Sequence, residues 1–291
     1  MQVERCVLAL FLLAVFSTFS TFSAPFAWAQ SPTTDVSAST PSADTSADLL
    51  PSIPFAPGEE LNFAVKFGVV RAGDARLAVT TGKSPENYRL VSTAKSSRFF
   101  DTFFPVDDRI VSEWSPKLRV PLEFEKRSRE GKYKKDERLQ FDQERGLALY
   151  ANGRREKIPP GTQDVLSAFY AVRAHKLVPG ASFSIPNHAD GKNYQLVVKV
   201  HERDKVEVPA GHFSCVIVEP MLRTSGLFEQ EGRLLIWVTD DARHMPVQMK
   251  SKIAVGSIVA ELESFRMGQP PASAYPGHES AVPTQGTAGG R

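Results

Sequence analysis

From residue 51 to residue 267 the chain alternates apolar and polar side chains with a period of two, which limits the open folds more than any other feature. Leu61, Phe63, Val65 and Phe67 alternate with Asn62, Ala64 and Lys66. Ala75, Leu77 and Val79 follow Gly73, and Tyr88, Leu90, Ser92 and Ala94 form a weaker run. Later, Tyr194, Leu196, Val198 and Val200 alternate with Gln195 and Lys199, and Phe213, Cys215 and Ile217 flank Ser214 and Val216. Successive side chains of a strand point to opposite faces, so each run reads as a half-buried strand. Turn residues separate the runs at Gly82-Lys83-Ser84-Pro85, Asn152-Gly153 and Asp190-Gly191. The spacing predicts roughly a dozen strands.

Two segments depart from this pattern. Asp164 to Leu177 lacks Gly and Pro and sets Val165, Phe169 and Val172 on one helical stripe, widened by Leu166 and Tyr170. Asp164 is placed to cap this helix, and Pro179-Gly180 to stop it. Leu234-Leu235-Ile236-Trp237-Val238 is apolar throughout. A strand with one wet face would alternate, so both faces of this one must be covered: by core on one side, and by the helix, a second sheet or a ligand cavity on the other. The expected fold is mainly β, a strongly curved antiparallel sheet (half-barrel or roll) wrapped around one central α-helix.

The two ends of the chain read differently. Residues 1–29 read as a secretory signal: Arg5 near the amine, the apolar run Val7 to Val15, then Ala27-Trp28-Ala29 before a cut at Gln30. The alternative is a retained anchor, but the apolar run falls short of the ~20 residues that span a bilayer, and Ser17, Thr18, Ser20, Thr21 and Ser23 interrupt it. Cys6 precedes the run and cannot be a lipidated cysteine at the cut. Residues 30–50 form a leader of Ser, Thr, Pro, Ala and Asp, and residues 268–291 a similar tail, with too little to bury to offset ordering entropy. The folded unit is thus 51–267, and in a Gram-negative host the mature chain goes to the periplasm, without a transmembrane anchor. The strands lack the aromatic-girdled pattern of an outer-membrane barrel.

Composition excludes some functions. A formal charge of +2, from 35 basic and 33 acidic residues, argues against a nucleic-acid binder. Cleavage of the signal leaves Cys215 alone, so stability comes from the core and not from disulfides. His175, His188, His201 and His244 show no ligand spacing, so neither a metal nor another cofactor is expected.

Several motifs together resemble the DUF3108 family of exported bacterial proteins, whose function is unassigned. Phe55-Ala56-Pro57-Gly58-Glu59-Glu60-Leu61, with Gly68 and Ala72-Gly73-Asp74, is similar to that family's first hairpin. Asp164 to Tyr170 with Arg173 is similar to its helix. Val208-Pro209-Ala210-Gly211-His212-Phe213, Ile236 to Asp241 with Pro246-Val247, and Gly256-Ser257-Ile258 with Leu262 are similar to its last strands. The resemblance covers about residues 53 to 266 and carries no catalytic mechanism. A looser one, confined to Trp237 through Gly256, is to periplasmic lipoprotein-carrier half-barrels. It implies an apolar concave face that holds acyl chains.

Phe99, Phe100, Phe103 and Phe104 form the most unusual local cluster, able to cover roughly 600–1000 Å² at 150–250 Å² per ring. They read as a lid or wall for an apolar ligand, with Trp237 as a further lining residue, or as a loop that plugs one end of the sheet. Glu125 to Arg138 carries seven basic and four acidic residues. Lys132, Lys134 and Lys135, with Arg154 and Arg155, read as a patch for anionic headgroups or as a solvated hairpin. Asp240-Asp241 reads as an acid–base pair or as turn chemistry. His212 and Cys215, three apart on a strand, face opposite ways, and Cys215 reads as a buried small hydrophobe. Arg173 is expected to pair with Glu59 or Asp74. The functional reading is an exported protein that binds an apolar or lipid-like envelope ligand. The alternatives are a non-catalytic envelope scaffold or interaction protein and, last, a hydrolase of envelope polymers.

Overall fold

The computed structural model describes residues 49–269 apart from 225–226, 230–232 and 253–255. The expected signal, with most of the leader and tail, lies outside the described residues. The strands are β1 (Glu60–Phe67), β2 (Val70–Thr81), β3 (Tyr88–Ser96), β4 (Asp107–Ser115), β5 (Val120–Glu130), β6 (Tyr133–Asp142), β7 (Leu147–Tyr150) and β8 (Arg155–Lys157). After them come β9 (Ser182–Ala189), β10 (Lys192–Val208), β11 (Gly211–Thr224), β12 (Leu227–Glu229), β13 (Arg233–Thr239), β14 (Pro246–Lys252) and β15 (Ser257–Arg266). Two helices complete the described chain: α1 (Arg98–Asp101), between β3 and β4, and α2 (Val165–Arg173), between β8 and β9.

All fifteen strands belong to one sheet of order β8-β7-β6-β5-β4-β3-β2-β1-β15-β14-β13-β11-β10-β9, with β12 added on β11. The sheet is two antiparallel meanders, β1 to β8 and β9 to β15. They join where β1 pairs β15 from Glu60↔Arg266 to Phe67↔Ile258. The edge strands β8 and β9 share no ladder among the described residues, so the sheet is not closed into a barrel. The period-two reading holds where it was clearest: Leu61, Phe63 and Val65 on β1 and Tyr194, Leu196, Val198 and Val200 on β10 are buried. They belong to one continuous core with the apolar side of α2, including Val165, Leu166, Tyr170 and Val172.

Helix α2 packs on β3, β4 and β9. Asp164 caps it as expected: its carboxylate accepts from Leu166 N and Ser167 N, each at 2.8 Å, and Ser167 Oγ accepts from Asp164 N at 2.9 Å. The helix ends at Arg173, four residues before the Leu177 expected from the pattern. Ala174 N turns back to Ala171 O, and Leu50 N takes the Ala174 carbonyl at 2.7 Å, so the next turn of helix has lost an acceptor. Arg173 forms a bidentate pair with Glu59 at 2.7 and 2.9 Å, with side chains only 1% and 0% exposed. Burial disfavours the guanidinium charge, but Glu59 outweighs it and holds the arginine above its ordinary pKa.

The all-apolar strand β13 is covered within the single sheet, with Leu234, Ile236, Trp237 and Val238 all in the one core cluster and the β10–β11 arm of the same sheet beside Trp237. The β10–β11 hairpin extends past it, and Ala210 N reaches Leu262 O on β15 at 3.0 Å. Phe213 meets the Phe265 ring edge-on at 6.1 Å. Trp237 is buried beside this arm, donating from Nε1 to Asp204 Oδ2 at 2.9 Å.

Candidate functional site

The register brings three connections to one end of the sheet. The β1–β2 turn holds Gly68 and Val69, and Gly73 beside it on β2 pairs Ser96 on β3, immediately before α1. The β5–β6 turn is joined to the α1 segment by the Val106↔Glu130 bridge and by Gly131 N donating to Pro105 O at 2.8 Å.

At this end the aromatic segment divides by face. Phe100 and Phe104 pack on buried Ala72 and Val106 together with Phe67. Phe99 and Phe103 turn outward, 65% and 73% exposed, and lean edge-on against each other at 5.5 Å. Local hydrogen bonds fix this arrangement: Ser96 Oγ donates to the Asp101 carboxylate and accepts from Val106 N, and Phe104 N closes on Phe100 O at 2.7 Å. Two of the four rings therefore plug the end and two face water.

Beneath the segment lies a buried polar group that the alternating pattern did not flag. Asp108 on β4 and Lys126, Ser128 and Glu130 on β5 are all buried. Asp108 Oδ1 accepts from Arg129 N at 2.7 Å. Its other oxygen, Glu130 Oε1 and Ser128 Oγ have no hydrogen-bond partner in standard ionisation states among the described residues. The two carboxyls interact with each other, and burial followed by Asp108 pushes Glu130 up to about 7. Burial raises Asp108 as well. Two acids so close disfavour the doubly ionised state, so the pair keeps a proton to higher pH than an isolated carboxyl would. The available signal was the even-numbered spacing of Lys126, Ser128 and Glu130, which puts all three on one face of a strand.

The basic residues also divide. Lys132, Lys134, Arg154 and Arg155 are exposed. Lys135 is half-buried between Glu137, at 2.6 Å, and Asp190. Burial opposes its charge, but Asp190 and Glu137 more than compensate and raise its pKa. Arg154 lies over the Tyr150 ring, 4.1 Å from its centroid. Lys135 and Arg154 thus stand at the seam between the two sheet edges, apart from Lys132 and Lys134 at the hairpin tip. The seam contains a hydrogen-bonded chain missed in the sequence. Asn193 Nδ2 donates to Lys157 O, which turns Asn193 Oδ1 toward His188 Nδ1 at 2.7 Å and leaves Nε2 to accept from Tyr150 Oη at 2.7 Å. Burial lowers the His188 pKa, so the imidazole is neutral.

Other sequence candidates stand apart from this end. Trp237 is buried by the β10–β11 arm and does not join the phenylalanines. Asp240 accepts from Arg203 Nε at 2.6 Å, and Asp241 from Thr239 Oγ1 at 2.7 Å and Arg243 Nη2 at 2.5 Å. Each carboxylate has its own arginine and serves the turn. Cys215 is buried, its thiol pushed up to about 12 by burial, and His212 stands 3.8 Å from Glu207. No group of three or more His, Cys, Asp or Glu side chains among the described residues could hold a metal ion. None of the described helices is long and apolar enough to cross a membrane.

An open antiparallel sheet with a capped helix tied to its first strand agrees with what the motifs implied. The profile of the family described as "Protein of unknown function (DUF3108)" matches residues 62–263. The chain belongs to the DUF3108 family. It is similar in fold to a beta-barrel-like protein of the DUF1849 family from Brucella abortus. The TM-score is 0.52 at 10% identity, over 75% of this chain and 100% of that one. A DUF1089 family protein from Pseudomonas aeruginosa aligns at a TM-score of 0.35 and 11% identity, over 60% of this chain and 87% of that one. No curated protein matches the chain.

Proposed function

We propose that this is an exported cell-envelope protein that binds an apolar or lipid-like ligand at the aromatic end of its sheet. In this reading residues 1–29 direct export and are removed, and a leader and a tail flank a unit that reaches beyond 51–267 to Leu49, bridged to His175, and Gln269, whose N donates to Pro57 O. In a Gram-negative host that unit works in the periplasm. The sheet curls around α2, which fills one end and leaves ligand contact to the other. The single observation that carries the reading is the exposure of Phe99 and Phe103. Two large rings are kept in water by a segment tied down through Ser97 N to Ala72 O, Asp101 N to Ser97 O and Phe104 N to Phe100 O, and apolar area held in water at a fixed place marks a contact surface.

The test is titration of the purified mature protein with the apolar dye N-phenyl-1-naphthylamine, followed by displacement with a lysophospholipid. Native mass spectrometry of protein taken from its own compartment runs beside it. Saturable, displaceable binding that Phe99→Ser with Phe103→Ser abolishes is the expected result. Protein that carries no lipid and binds no dye saturably would end the reading.

A second reading, a scaffold that docks an envelope protein through the β5–β6 hairpin, draws on exposed Lys132 and Lys134. It fails if charge reversal at both leaves every pull-down partner in place. A hydrolase reading finds less support, because each of the two carboxylates in the turn is occupied by its own arginine.

A further inference from the structure

Exposed large apolar side chains are concentrated at one end of this protein. Val69, Val70, Phe99, Phe103 and Tyr133 all belong to the three connections at the α1 end, and Val69 is 95% exposed. Of the others among the described residues, Leu118 lies in the β4–β5 turn and Val178 precedes β9, both at the opposite end, and Phe265 packs on Phe213. Such segregation is not the scattered exposure of an ordinary surface.

The charges around these tips are unbalanced in one direction. Asp74 is held by Arg71, Asp107 by Arg127, Asp136 by Arg129, and Asp101 accepts from Ser96. Arg98, Lys132 and Lys134 are exposed at the same end, with no acid in ion-pair distance among the described residues. The Ser96 hydroxyl does not cancel the Asp101 charge, and Arg71 is shared between Asp74 and Glu263, but the cations without an acid outnumber these excess acids by one. The Gly131–Pro105 hydrogen bond holds the lysine-bearing turn against the phenylalanine segment, so both kinds of side chain move as one surface.

We propose that this end docks on a lipid bilayer containing anionic headgroups. Val69, Val70, Phe99 and Phe103 enter the interface, and Arg98, Lys132 and Lys134 contact the headgroup phosphates. The proposal rests on the apolar-contact reading above and names its partner. A second copy of the chain fits less well, because a two-fold interface would bring the same unpaired cations face to face. A globular partner needs about 800 Å² from each side for a stable complex, more than four side chains on two neighbouring loops supply. A bilayer sets no such minimum. It accepts apolar tips singly, and the attraction of each cation to an anionic surface adds to it.

The test is co-sedimentation of the mature protein with vesicles of phosphatidylcholine alone and of phosphatidylcholine with about one-third phosphatidylglycerol, at low and high salt. Binding to the anionic vesicles, weakened by salt, is expected. Lys132→Gln with Lys134→Gln should reduce it roughly thirty-fold, at about a five-fold loss per cation near the surface. Phe99→Ser with Phe103→Ser should reduce it at least about tenfold at either salt concentration. Leu118→Ser with Val178→Ser should leave it unchanged. All the changes are on exposed side chains, and an unaltered thermal midpoint checks each fold. Absence of binding to the anionic vesicles, or equal losses in the Leu118/Val178 and phenylalanine variants, overturns docking. Saturable dye binding without vesicle binding would defeat this proposal and spare the ligand reading, whereas loss of both defeats both.

Discussion

Glu59→Ala should be among the most damaging single changes in the chain. Glu59 lies just ahead of β1, and Arg173 is the last residue of α2. Arg173 also donates to the Arg243 carbonyl at 3.2 Å, in the turn between β13 and β14. One guanidinium thus ties the first strand, the helix and the second meander together. Removing the carboxylate leaves that charge with one carbonyl, at a side chain only 1% exposed. Stranding one member of a buried pair costs about 3–5 kcal/mol, a fifth or more of the stability of an ordinary domain. At an m-value near the top of the usual range for urea, that is a loss of roughly 1–2 M in the unfolding midpoint. The paired change Glu59→Met with Arg173→Met removes both charges and refills the volume, so it should recover most of the loss. Urea unfolding followed by tryptophan fluorescence and far-UV circular dichroism measures all three proteins. A midpoint in Glu59→Ala within about 0.4 M of the parent, at unchanged m, would show that the pair is not what holds these elements together. A double variant as weak as Glu59→Ala would refute the charge argument and leave packing as the cause.

Three further outcomes follow from buried groups. Glu130 binds its proton more tightly when folded, moving from 4.5 up to about 7. The folded state therefore holds more protons than the unfolded one in this window, and stability falls as pH rises from about 4.5 to 7, by about 2–3 kcal/mol at most. Asp164, raised to about 6 mainly by burial, acts with the same sign at lower pH. Glu130→Gln should accordingly flatten thermal melting between pH 5 and 8 relative to the parent, and identical slopes would contradict the retained proton. Gly131→Ala should destabilise by about 1–2 kcal/mol, since its φ is +57° and an added Cβ would stand 2.9 Å from the Phe104 ring. An unchanged midpoint would show that the aromatic segment yields freely. Cys215 should ignore a thiol reagent until the protein unfolds, because the thiol is buried and its pKa lies at about 12. Rapid labelling under native conditions would place it at the surface.

How much of this fold the sequence revealed depends on the segment. Alternation on β1, β2, β3 and β10, the Asp164 cap and the Arg173–Glu59 pair were legible because each rests on local spacing or on residue chemistry with few solutions. The β5–β6 hairpin was recognisable as a hairpin, but its inward face was not. Lys126, Ser128 and Glu130 look like solvent residues, and only the register of β4 against β5 shows that they point inward. The phenylalanine segment announced itself by composition, and its division into Phe100 and Phe104 within and Phe99 and Phe103 without depends on one short helical turn. Trp237 was expected near an apolar ligand because its strand is apolar on both faces. The same pattern is satisfied by a folded-back hairpin, whose tip contacts a strand more than fifty residues away, and no local signal separates the two.

The seam explains why the most informative polar residues were the hardest to find. A sheet whose edge strands do not pair exposes backbone donors and acceptors that invite aggregation. Here β8 is only three residues long, β9 carries Pro186, and Gln163 occupies part of the β9 edge through its N to Pro186 O at 2.8 Å and its O to His188 N at 2.9 Å. Side chains span the remaining gap: Lys135 to Asp190, Tyr150 to His188, and Asn193 to Lys157 O. Each of these residues is unremarkable in its own stretch of sequence, since His188 lacks ligand spacing and Lys135 sits in a mixed-charge run. Their role exists only between segments that are distant in the chain and unpaired in the sheet. Local periodicity and strand-pairing rules therefore pass over them together, because a boundary closed by side chains leaves neither an alternation nor a ladder to read.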